Sequence, residues 1–319
     1  MTAAACSDQE FIKTYRELQS STAIAKALGI SQQNVRRRRR TIEKKYGIVL
    51  PQRDSRAAYN TAEIPEHQTA RAKFTLRDGQ IIVFSDAHYF PGEATTAHRG
   101  LLKIIKQLKP AVVVCNGDAF DGSTISRWPR IGWDSKPTVK SELDAVDERL
   151  TEIEKAAIGA KFFWPLGNHD SRFECFLVAR APEFQGVSGL TLKERFPRWA
   201  PCWSVSVNEN TLIKHRWANG IHAAYNNTLR GGWSIITGHL HSLKVTPWTD
   251  LNGDRYGVDT GTLADPWGAQ FTDYMEENPR NWRAGFCVLT YVNGKLMPPE
   301  LAQVVAEGKM FFRGQIVAV

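Results

Sequence analysis

The chain has 319 residues, a net charge of +8 at neutral pH, 42% hydrophobic residues and 23% charged residues. That composition is ordinary for a protein with a sizeable core, and no apolar stretch approaches the length of a membrane span, so we expect no membrane partner. Five widely spaced cysteines form no Cys-x-x-Cys pair, which argues against a disulfide framework or a zinc knuckle and favours a cytoplasmic location.

The charge is unevenly distributed along the chain. Residues 1–60 hold 12 of the 41 basic residues and 5 of the 33 acidic ones, so they account for +7 of the total charge of +8. A basic segment attached to an electrically balanced remainder is typical of a protein whose first part binds a polyanion.

The first predicted elements are three helices. Apolar spacing at Phe11, Tyr15 and Leu18 predicts the first helix, with Ser7 or Asp8 as its N-cap. A short helix then ends at a glycine turn, and a longer basic helix follows, as the letters "STAIAKALGISQQNVRRRRRTIEKKYG" show. This order resembles the helix-turn-helix of bacterial and phage regulators, which implies a small all-α domain that binds nucleic acid.

The second helix of such a motif, here the longer basic helix, would present polar residues to the major groove and basic residues to phosphates. The groove-facing candidates are Gln32, Gln33, Asn34 and Arg36, and the phosphate-facing candidates are Arg37, Arg38, Arg39, Arg40, Lys44 and Lys45. Arg38 and Arg39 lie where a buried aliphatic residue would usually follow Val35, which favours phosphate affinity over sequence reading. The alternative is a solvated basic helix or a three-helix cap on an enzyme.

Polar residues with two prolines follow the helices and predict a linker. The expected domains are therefore residues 1–50, a helix-turn-helix domain, residues 51–72, a linker, and residues 73–319, a catalytic domain. The third segment opens with two predicted strands joined by an Asp-Gly turn at Asp78 and Gly79, and then alternates amphipathic helices with apolar strands. Alternating strands and helices predict a layered α/β fold.

Polar residues recur where the apolar strands of the third segment end. In chain order these strand ends read "DAH", "GDAFD", "GNHD", a lone histidine and "GHLH". The carboxyl ends of strands in such sheets hold ligands, and oxygen and nitrogen donors without thiolates suit Mn²⁺, Fe or Zn²⁺. The seven candidate ligands, too many for one ion, are Asp86, His88, Asp118, Asn168, His215, His239 and His241.

The ordered set of motifs resembles the calcineurin-like metallophosphoesterases over about residues 74–265, and most of all those of bacteriophage and prophage genomes. The resemblance implies a four-layer α-β-β-α sandwich and two divalent metal ions, with Mn²⁺ first and Fe, Zn²⁺ or Ni²⁺ as alternatives. It assigns Asp86, His88 and His241 to one ion, and Asn168, His215 and His239 to the other. Asp118 would bridge the two ions, and His169 would be the general acid, oriented by Asp121.

Several assignments stay open at this level. His222 competes with His215 for one ligand position, although His215 ends a strand. Arg172 and Arg127 are candidates to bind a substrate phosphate, with a surface salt bridge as the alternative for Arg172. The loop "STISRWPRIGWDSK" either grips a nucleic-acid strand or packs its tryptophans into the core.

The leading functional hypothesis is a two-metal phosphoesterase that acts on nucleic acid, as a nuclease or a DNA phosphatase, with DNA bound by its N-terminal domain. One alternative is a phosphatase for proteins or small phosphoesters whose N-terminal domain binds DNA for regulation. The other is a non-catalytic DNA-binding regulator, which the complete set of ligand positions argues against.

Overall fold

The computed structural model describes residues 6–50, 71–127, 136–271 and 280–319 of the chain. Most of the predicted linker and the Trp128, Arg130 and Trp133 positions of the predicted strand-gripping loop lie outside these residues. The chain divides into two compact units, Met1–Gln68 and Thr69–Val319.

The first unit is a set of three helices around a small core. Its helices are α1 (Asp8–Leu18), α2 (Ser21–Leu28) and α3 (Gln32–Tyr46). The Ser31 hydroxyl accepts a hydrogen bond from the Asn34 amide at 3.2 Å and caps α3, while Gly29 ends α2 with a left-handed φ of 64°. The buried apolar residues are Phe11, Tyr15, Ile24, Val35, Ile42 and Leu50.

The second unit contains two β-sheets. Its strands are β1 (Arg71–Phe74), β2 (Gly79–Phe84), β3 (Val112–Cys115), β4 (Lys161–Pro165), β5 (Ala200–Cys202), β6 (Ser204–Val207), β7 (Thr211–Ile213), β8 (Ser234–Thr237), β9 (Lys244–Asp250), β10 (Gly253–Asp259), β11 (Gly285–Val292), β12 (Lys295–Leu296), β13 (Glu300–Ala306), β14 (Lys309–Phe312) and β15 (Gln315–Ala318). Among the described residues, one sheet has the order β1-β6-β7-β8-β10-β9. The other has the order β15-β14-β13-β11-β2-β3-β4-β5, with β12 paired to β11.

Helices cover the outer faces of the two sheets. They are α4 (Thr96–Leu108), α5 (Val139–Ala156), α6 (Ser171–Arg180), α7 (Leu192–Arg195) and α8 (Ala223–Gly231), with short 3-10 turns at Ser123–Ile125, Pro182–Phe184 and Ala269–Phe271. Alternate residues of β2 face opposite ways: Ile82 and Phe84 pack towards α4 and α5, whereas Ile81 and Val83 pack against the other sheet. Because α8 packs on β8, β9 and β10, the layers run α-β-β-α, as the family resemblance implies.

The strand pairing shows where the chain goes at the Asp78-Gly79 turn. The two predicted strands on either side of Asp78 form, but they do not pair with each other, because β1 pairs with β6 and β2 pairs with β3 and β11. The turn instead carries the chain from one sheet to the other. Within the described residues, no helix is both long enough and apolar enough to cross a bilayer.

Candidate metal centre

The predicted ligands follow the carboxyl ends of parallel strands. Strands β2, β3 and β4 run parallel in one sheet, and β7 and β8 run parallel in the other. Their ends therefore meet along one edge of the sandwich, where loops of only a few residues carry the polar side chains. The sheet topology thus explains why motifs far apart in the sequence come together.

Three groups of potential ligands form at this edge, each with ligand atoms within 4.8 Å of one another. They are Asp86 with His88 and His241, Asp118 with His215 and His239, and His88 with Asp121 and His169. The first group contains the residues that the family resemblance assigns to one ion. The second contains His215 and His239, assigned to the other ion, together with Asp118, the predicted shared ligand. His222, the alternative to His215, is exposed before α8 and belongs to none of these three groups.

Buried polar atoms without hydrogen-bond partners point to bound cations. Within the described part of the chain these include Nε2 of His88, Oδ1 of Asn168, Nε2 of His215 and Nδ1 of His241. The His215 Nε2 atom lies 3.0 Å from Asp118 Oδ2, but only as a charge contact without hydrogen-bond geometry. Leaving such a group unsatisfied costs about 1–3 kcal/mol, and coordination to a cation removes that cost. The donor set therefore fits divalent metal ions that accept nitrogen and oxygen ligands.

Backbone strain is concentrated at the same residues. Five predicted ligands have left-handed φ values, namely Asp86 (52°), His88 (39°), Asp118 (53°), His239 (72°) and His241 (56°). A left-handed residue other than glycine costs on the order of 1–3 kcal/mol, and such residues persist mainly where function requires them. The strands therefore end in strained turns that aim these side chains at a common centre.

Two motif glycines are required by close packing against the ligands. A Cβ atom on Gly167 would lie 2.0 Å from Asp118 Oδ1, and one on Gly238 would lie 2.5 Å from Asp86 Oδ2. Any side chain at either position would push a carboxylate out of place. This explains why glycine precedes Asn168 and His239 in the sequence.

Asp170 anchors the loop that carries Asp118. Its carboxylate accepts hydrogen bonds of 2.8–3.1 Å from the backbone amides of Asp118, Ala119, Phe120 and Gly167 and from the indole of Trp164. Burial and the neighbouring Asp118 charge raise the pKa of Asp170 to about 6, in spite of these donors. The side chain therefore fixes the position of the loop that carries Asp118.

Asp121 holds two imidazoles with one oxygen. Its Oδ1 atom lies 2.9 Å from Nδ1 of His88 and 2.9 Å from Nδ1 of His169. Burial raises the pKa of Asp121, but the hydrogen bonds to His169 and His88 outweigh burial and lower it below its usual value. An ionised Asp121 fixes the orientation of both rings, one a candidate metal ligand and the other the candidate acid.

His169 is buried and its protonation is controlled by its neighbours. Burial lowers its pKa, but the carboxylates of Asp118 and Asp121 outweigh burial and raise it. The Arg172 guanidinium lies 3.1 Å from His169 Nε2 and donates to the Asp121 carbonyl at 2.8 Å. Because a guanidinium can only donate, His169 Nε2 accepts in this arrangement and the ring proton lies on Nδ1.

Asn116 is a positioning residue that sequence reasoning missed. Its backbone carbonyl accepts a 2.8 Å hydrogen bond from Nδ1 of His215, which directs Nε2 towards Asp118. Burial lowers the pKa of His215, but Asp118 and Asp86 outweigh it and raise the value to about 10, and a bound cation would displace that proton. The feature of the sequence that indicates this role is the position of Asn116, which lies two residues before Asp118 at the end of the same strand.

Aromatic rings pack against the histidines of the first group. The Trp282 ring centroid lies 4.4 Å from that of His241, and the Phe271 centroid lies 5.1 Å from that of His88. These contacts restrict the imidazole orientations and exclude water from one side of the centre.

The predicted phosphate-binding arginines lie beside a predicted metal ligand. Arg172 and Arg127 both line a cleft that Asn168 also lines. Arg216, the residue after His215, lines the same cleft. It therefore adds a cation beside a predicted ligand.

The predicted nucleic-acid-binding residues of α3 divide into two sets. Arg38 donates to the Cys6 carbonyl at 2.5 Å and pairs with Asp8 at 3.3 Å, and Lys45 pairs with the same carboxylate at 2.8 Å. Arg39 contacts Glu43 at 3.6 Å and the Tyr15 hydroxyl at 3.5 Å, and Gln32 donates to Thr22 at 3.1 Å. The exposed remainder is Gln33, Asn34, Arg36, Arg37, Arg40 and Lys44.

Comparison with known proteins identifies the family to which the second unit is related. Residues 79–260 match the model of the family described as calcineurin-like phosphoesterase. The Gene 54 protein of Mycobacterium phage L5 is 26% identical over 256 residues, covering 74% of this chain and 98% of that protein. The Gene 54 protein of Mycobacterium phage D29 is 26% identical over 245 residues, covering 71% and 94%.

Among solved structures, wild-type Vps29 of Entamoeba histolytica complexed with Zn²⁺ is 14% identical, with a TM-score of 0.39 over 75% of this chain and 98% of that one. The family match covers more than half of the chain and spans most of the strand ends described above. The chain belongs to the calcineurin-like phosphoesterase family and is a metal-dependent phosphoester hydrolase.

Proposed function

We propose that this hydrolase acts on nucleic acid, with residues 1–50 binding DNA as a helix-turn-helix domain, residues 51–72 linking, and residues 73–319 carrying out the chemistry. The observation that carries the proposal is an exposed basic stripe on the same chain as the metal centre. We define the basic stripe as Arg36, Arg37, Arg40 and Lys44 of α3.

The basic stripe supports phosphate binding by its spacing and its exposure. Arg36, Arg40 and Lys44 are separated by four residues each, so they share one face of α3, and Arg37 lies beside them. The buried residues Val35 and Ile42 are on another face, and the only acid of the helix, Glu43, pairs with Arg39. Cations presented in a row, none of them in an ion pair within residues 6–50, suit the phosphates of a nucleic acid, and Gln33 and Asn34 offer amides for base edges.

In this proposal Asp86, His88 and His241 would hold one divalent ion, Asn168, His215 and His239 would hold a second, and Asp118 would be shared between them. Such ions, with Mn²⁺ the expected metal, would supply a nucleophile at neutral pH and neutralise charge on the phosphoryl oxygens. The buried, thiolate-free donor set supports this assignment.

His169 is the proposed general acid, and Arg172 controls when it acts. While Arg172 contacts Nε2 of His169, that nitrogen is occupied as an acceptor. A substrate phosphate attracts the guanidinium more strongly than an imidazole does, so binding would free Nε2 to take up a proton from solvent and pass it to the leaving oxygen. The Asp118 and Asp121 carboxylates favour that uptake, because they raise the pKa of His169. Asp121 keeps the ring in place through Nδ1 during the transfer.

A Mn²⁺-supplemented assay on single-stranded DNA, duplex DNA, an aryl monoester and an aryl diester tests the proposal. We expect DNA to be hydrolysed, with a chelator abolishing activity and Mn²⁺ restoring it. The Asn168→Ala variant is expected to lose hydrolysis and to keep DNA binding, because Asn168 and the basic stripe belong to different units. Hydrolysis of aryl esters with no cleavage of either DNA would contradict the proposed substrate.

A further inference from the structure

A cleft beside the metal centre is lined by four arginines. Its volume is about 550 Å³, and its lining includes Asn168 together with Arg127, Arg172, Arg180 and Arg216. Among the described residues that line it there is no aspartate or glutamate. We call it the arginine cleft. A cleft with one sign of charge concentrates the electric field and attracts anions.

The arginine cleft extends away from the candidate acid along α6. Arg172 and Arg180 lie eight residues apart near the two ends of this helix, which corresponds to about 12 Å along its axis. Arg172 is fixed at the inner end by the Asp121 carbonyl and by His169. The cleft is therefore longer than the contact surface of a single phosphate.

The four arginines come from three separate segments. Arg127 follows the loop of Asp121, Arg172 and Arg180 come from α6, and Arg216 follows His215 at the end of β7. Like charges gathered from distant parts of a chain repel one another, and an anion in the cleft relieves that repulsion. Converging guanidinium groups are also the side chains best suited to bidentate phosphate contacts.

Apolar surface lies between the arginines. Phe176 lines the cleft with 41% of its surface exposed, and Ile125 lines it as well. Basic side chains interleaved with an exposed aromatic ring bind unpaired strands, because phosphates pair with the cations and bases stack on the ring. A paired base has no free face for such stacking, which favours a single strand over a duplex.

We propose that the arginine cleft is a subsite for the phosphates next to the one that is cleaved, and that the substrate is a single-stranded oligonucleotide. This proposal rests on the proposed function, which it makes more specific. It makes Arg180 and Arg216 specificity-determining residues for strand length, and it assigns a role to Arg216 that the family resemblance does not provide.

The test measures how oligothymidylate competes with an aryl ester. The full-length, Mn²⁺-loaded protein hydrolyses whichever aryl ester it accepts, and hexathymidylate or thymidine monophosphate, in large excess over protein, is added as competitor. The variants are Arg180→Gln/Arg216→Gln and, as a control, Arg230→Gln, which removes an exposed arginine of α8 that does not line the cleft. Metal content is measured for every protein.

In the double variant we expect the inhibition constant for hexathymidylate, relative to that for thymidine monophosphate, to rise by at least about tenfold. The dependence of log affinity on log salt should flatten by about 1.4, since each phosphate contact to a single strand contributes roughly 0.7. Arg230→Gln should match the wild type in both measurements. Because Arg180 and Arg216 are exposed, these changes do not depend on altered folding.

An unchanged ratio and salt slope in the double variant would overturn the arginine-cleft proposal, as would a wild type that hexathymidylate does not inhibit. A duplex competitor that inhibits as strongly as the single strand, with the same dependence on Arg180 and Arg216, would overturn the single-strand assignment. If hexathymidylate inhibits through these two arginines but is never cleaved, the proposed hydrolysis of nucleic acid fails while the subsite stands. If hexathymidylate is cleaved and the double variant leaves its cleavage and inhibition constant unchanged, the proposed hydrolysis of nucleic acid stands while the subsite fails.

Discussion

The metal centre and the basic stripe both concentrate polar side chains, but they do so in opposite environments. At the metal centre the carboxylates and imidazoles are buried apart from the half-buried His239, with Asp118 and His215 each only 2% exposed. In the basic stripe every member is exposed on one helix. Burial forces each group of the first set to have a defined partner, whereas solvent lets the members of the second set act nearly independently.

This contrast determines how the two regions respond to substitution. Asp121 touches both His88 and His169, and Asp170 accepts hydrogen bonds from the loop of Asp118, so one change there displaces several groups. Charges in the basic stripe add their contributions to a long-range field that salt screens. We therefore expect large, non-additive effects in the first region and small, additive, salt-dependent effects in the second.

The largest expected effect is that of His169→Gln. Loss of a general acid lowers the rate constant by about 10²–10⁴-fold. The loss should be greatest for DNA, whose alcohol leaving group needs a proton, and smallest for a 4-nitrophenyl ester, whose leaving group does not. Steady-state kinetics on both substrates checks this, with metal content as the control. Equal losses on the two substrates would show that His169 is not the proton donor.

Asp121→Asn is expected to have an intermediate effect, of about 10–100-fold on activity, because Asp121 orients a ligand and the acid without contacting substrate. A positioning role predicts weaker metal affinity through His88 together with a shifted pH profile through His169. Metal titration and the pH dependence of kcat measure the two parts. A variant with normal metal affinity and a normal pH profile would refute the shared-orientation role, even if its stability were reduced.

The sequence predicted the metal centre better than it predicted the basic helix, for a physical reason. Ligands such as Asp86 and His239 lie two residues after the end of an apolar strand, and parallel strands bring their ends together whatever the intervening loops do. The local sequence pattern and the sheet topology therefore both indicate that these residues lie close together. The α/β fold class followed from the alternation of strands and helices, and the four-layer arrangement followed from the family resemblance.

Features that depend on three-dimensional neighbours were not available from the pattern. Arg38 belongs to a run of five arginines, and only the packing of α1 shows that its guanidinium lies over Phe11, at 5.1 Å. Asn116 orients His215 through a backbone carbonyl, which any residue type would supply. The chain between β1 and β2 has a hairpin sequence, but burial of β2 between β3 and β11 decides its pairing.

The basic stripe can be tested by the triple variant Arg36→Gln/Arg40→Gln/Lys44→Gln. Removing three phosphate contacts to duplex DNA should flatten the plot of log affinity against log salt by roughly 2.7, at about 0.9 per contact. Affinity measured by fluorescence anisotropy at several salt concentrations gives this slope, and Lys106→Gln, an exposed lysine of α4, is the control. An unchanged slope would mean that another surface binds DNA or that none does.

The smallest and sharpest comparison is between Arg38→Gln and Arg40→Gln, two neighbours in the same arginine run. Arg38 contacts Cys6 and Asp8, so its loss should lower the free energy of unfolding of the three-helix unit by about 1–2 kcal/mol, the value of one or two hydrogen bonds. Arg40 is exposed, so its loss should change that free energy by less than about 0.5 kcal/mol but should weaken DNA binding. Amide hydrogen exchange in α1 and α3 measures the first quantity in the full chain, and salt-dependent DNA affinity measures the second. If both variants changed stability and affinity alike, the division of α3 into an inward-bonded set and an exposed stripe would not hold, because burial and exposure would then have the same consequence on one helix.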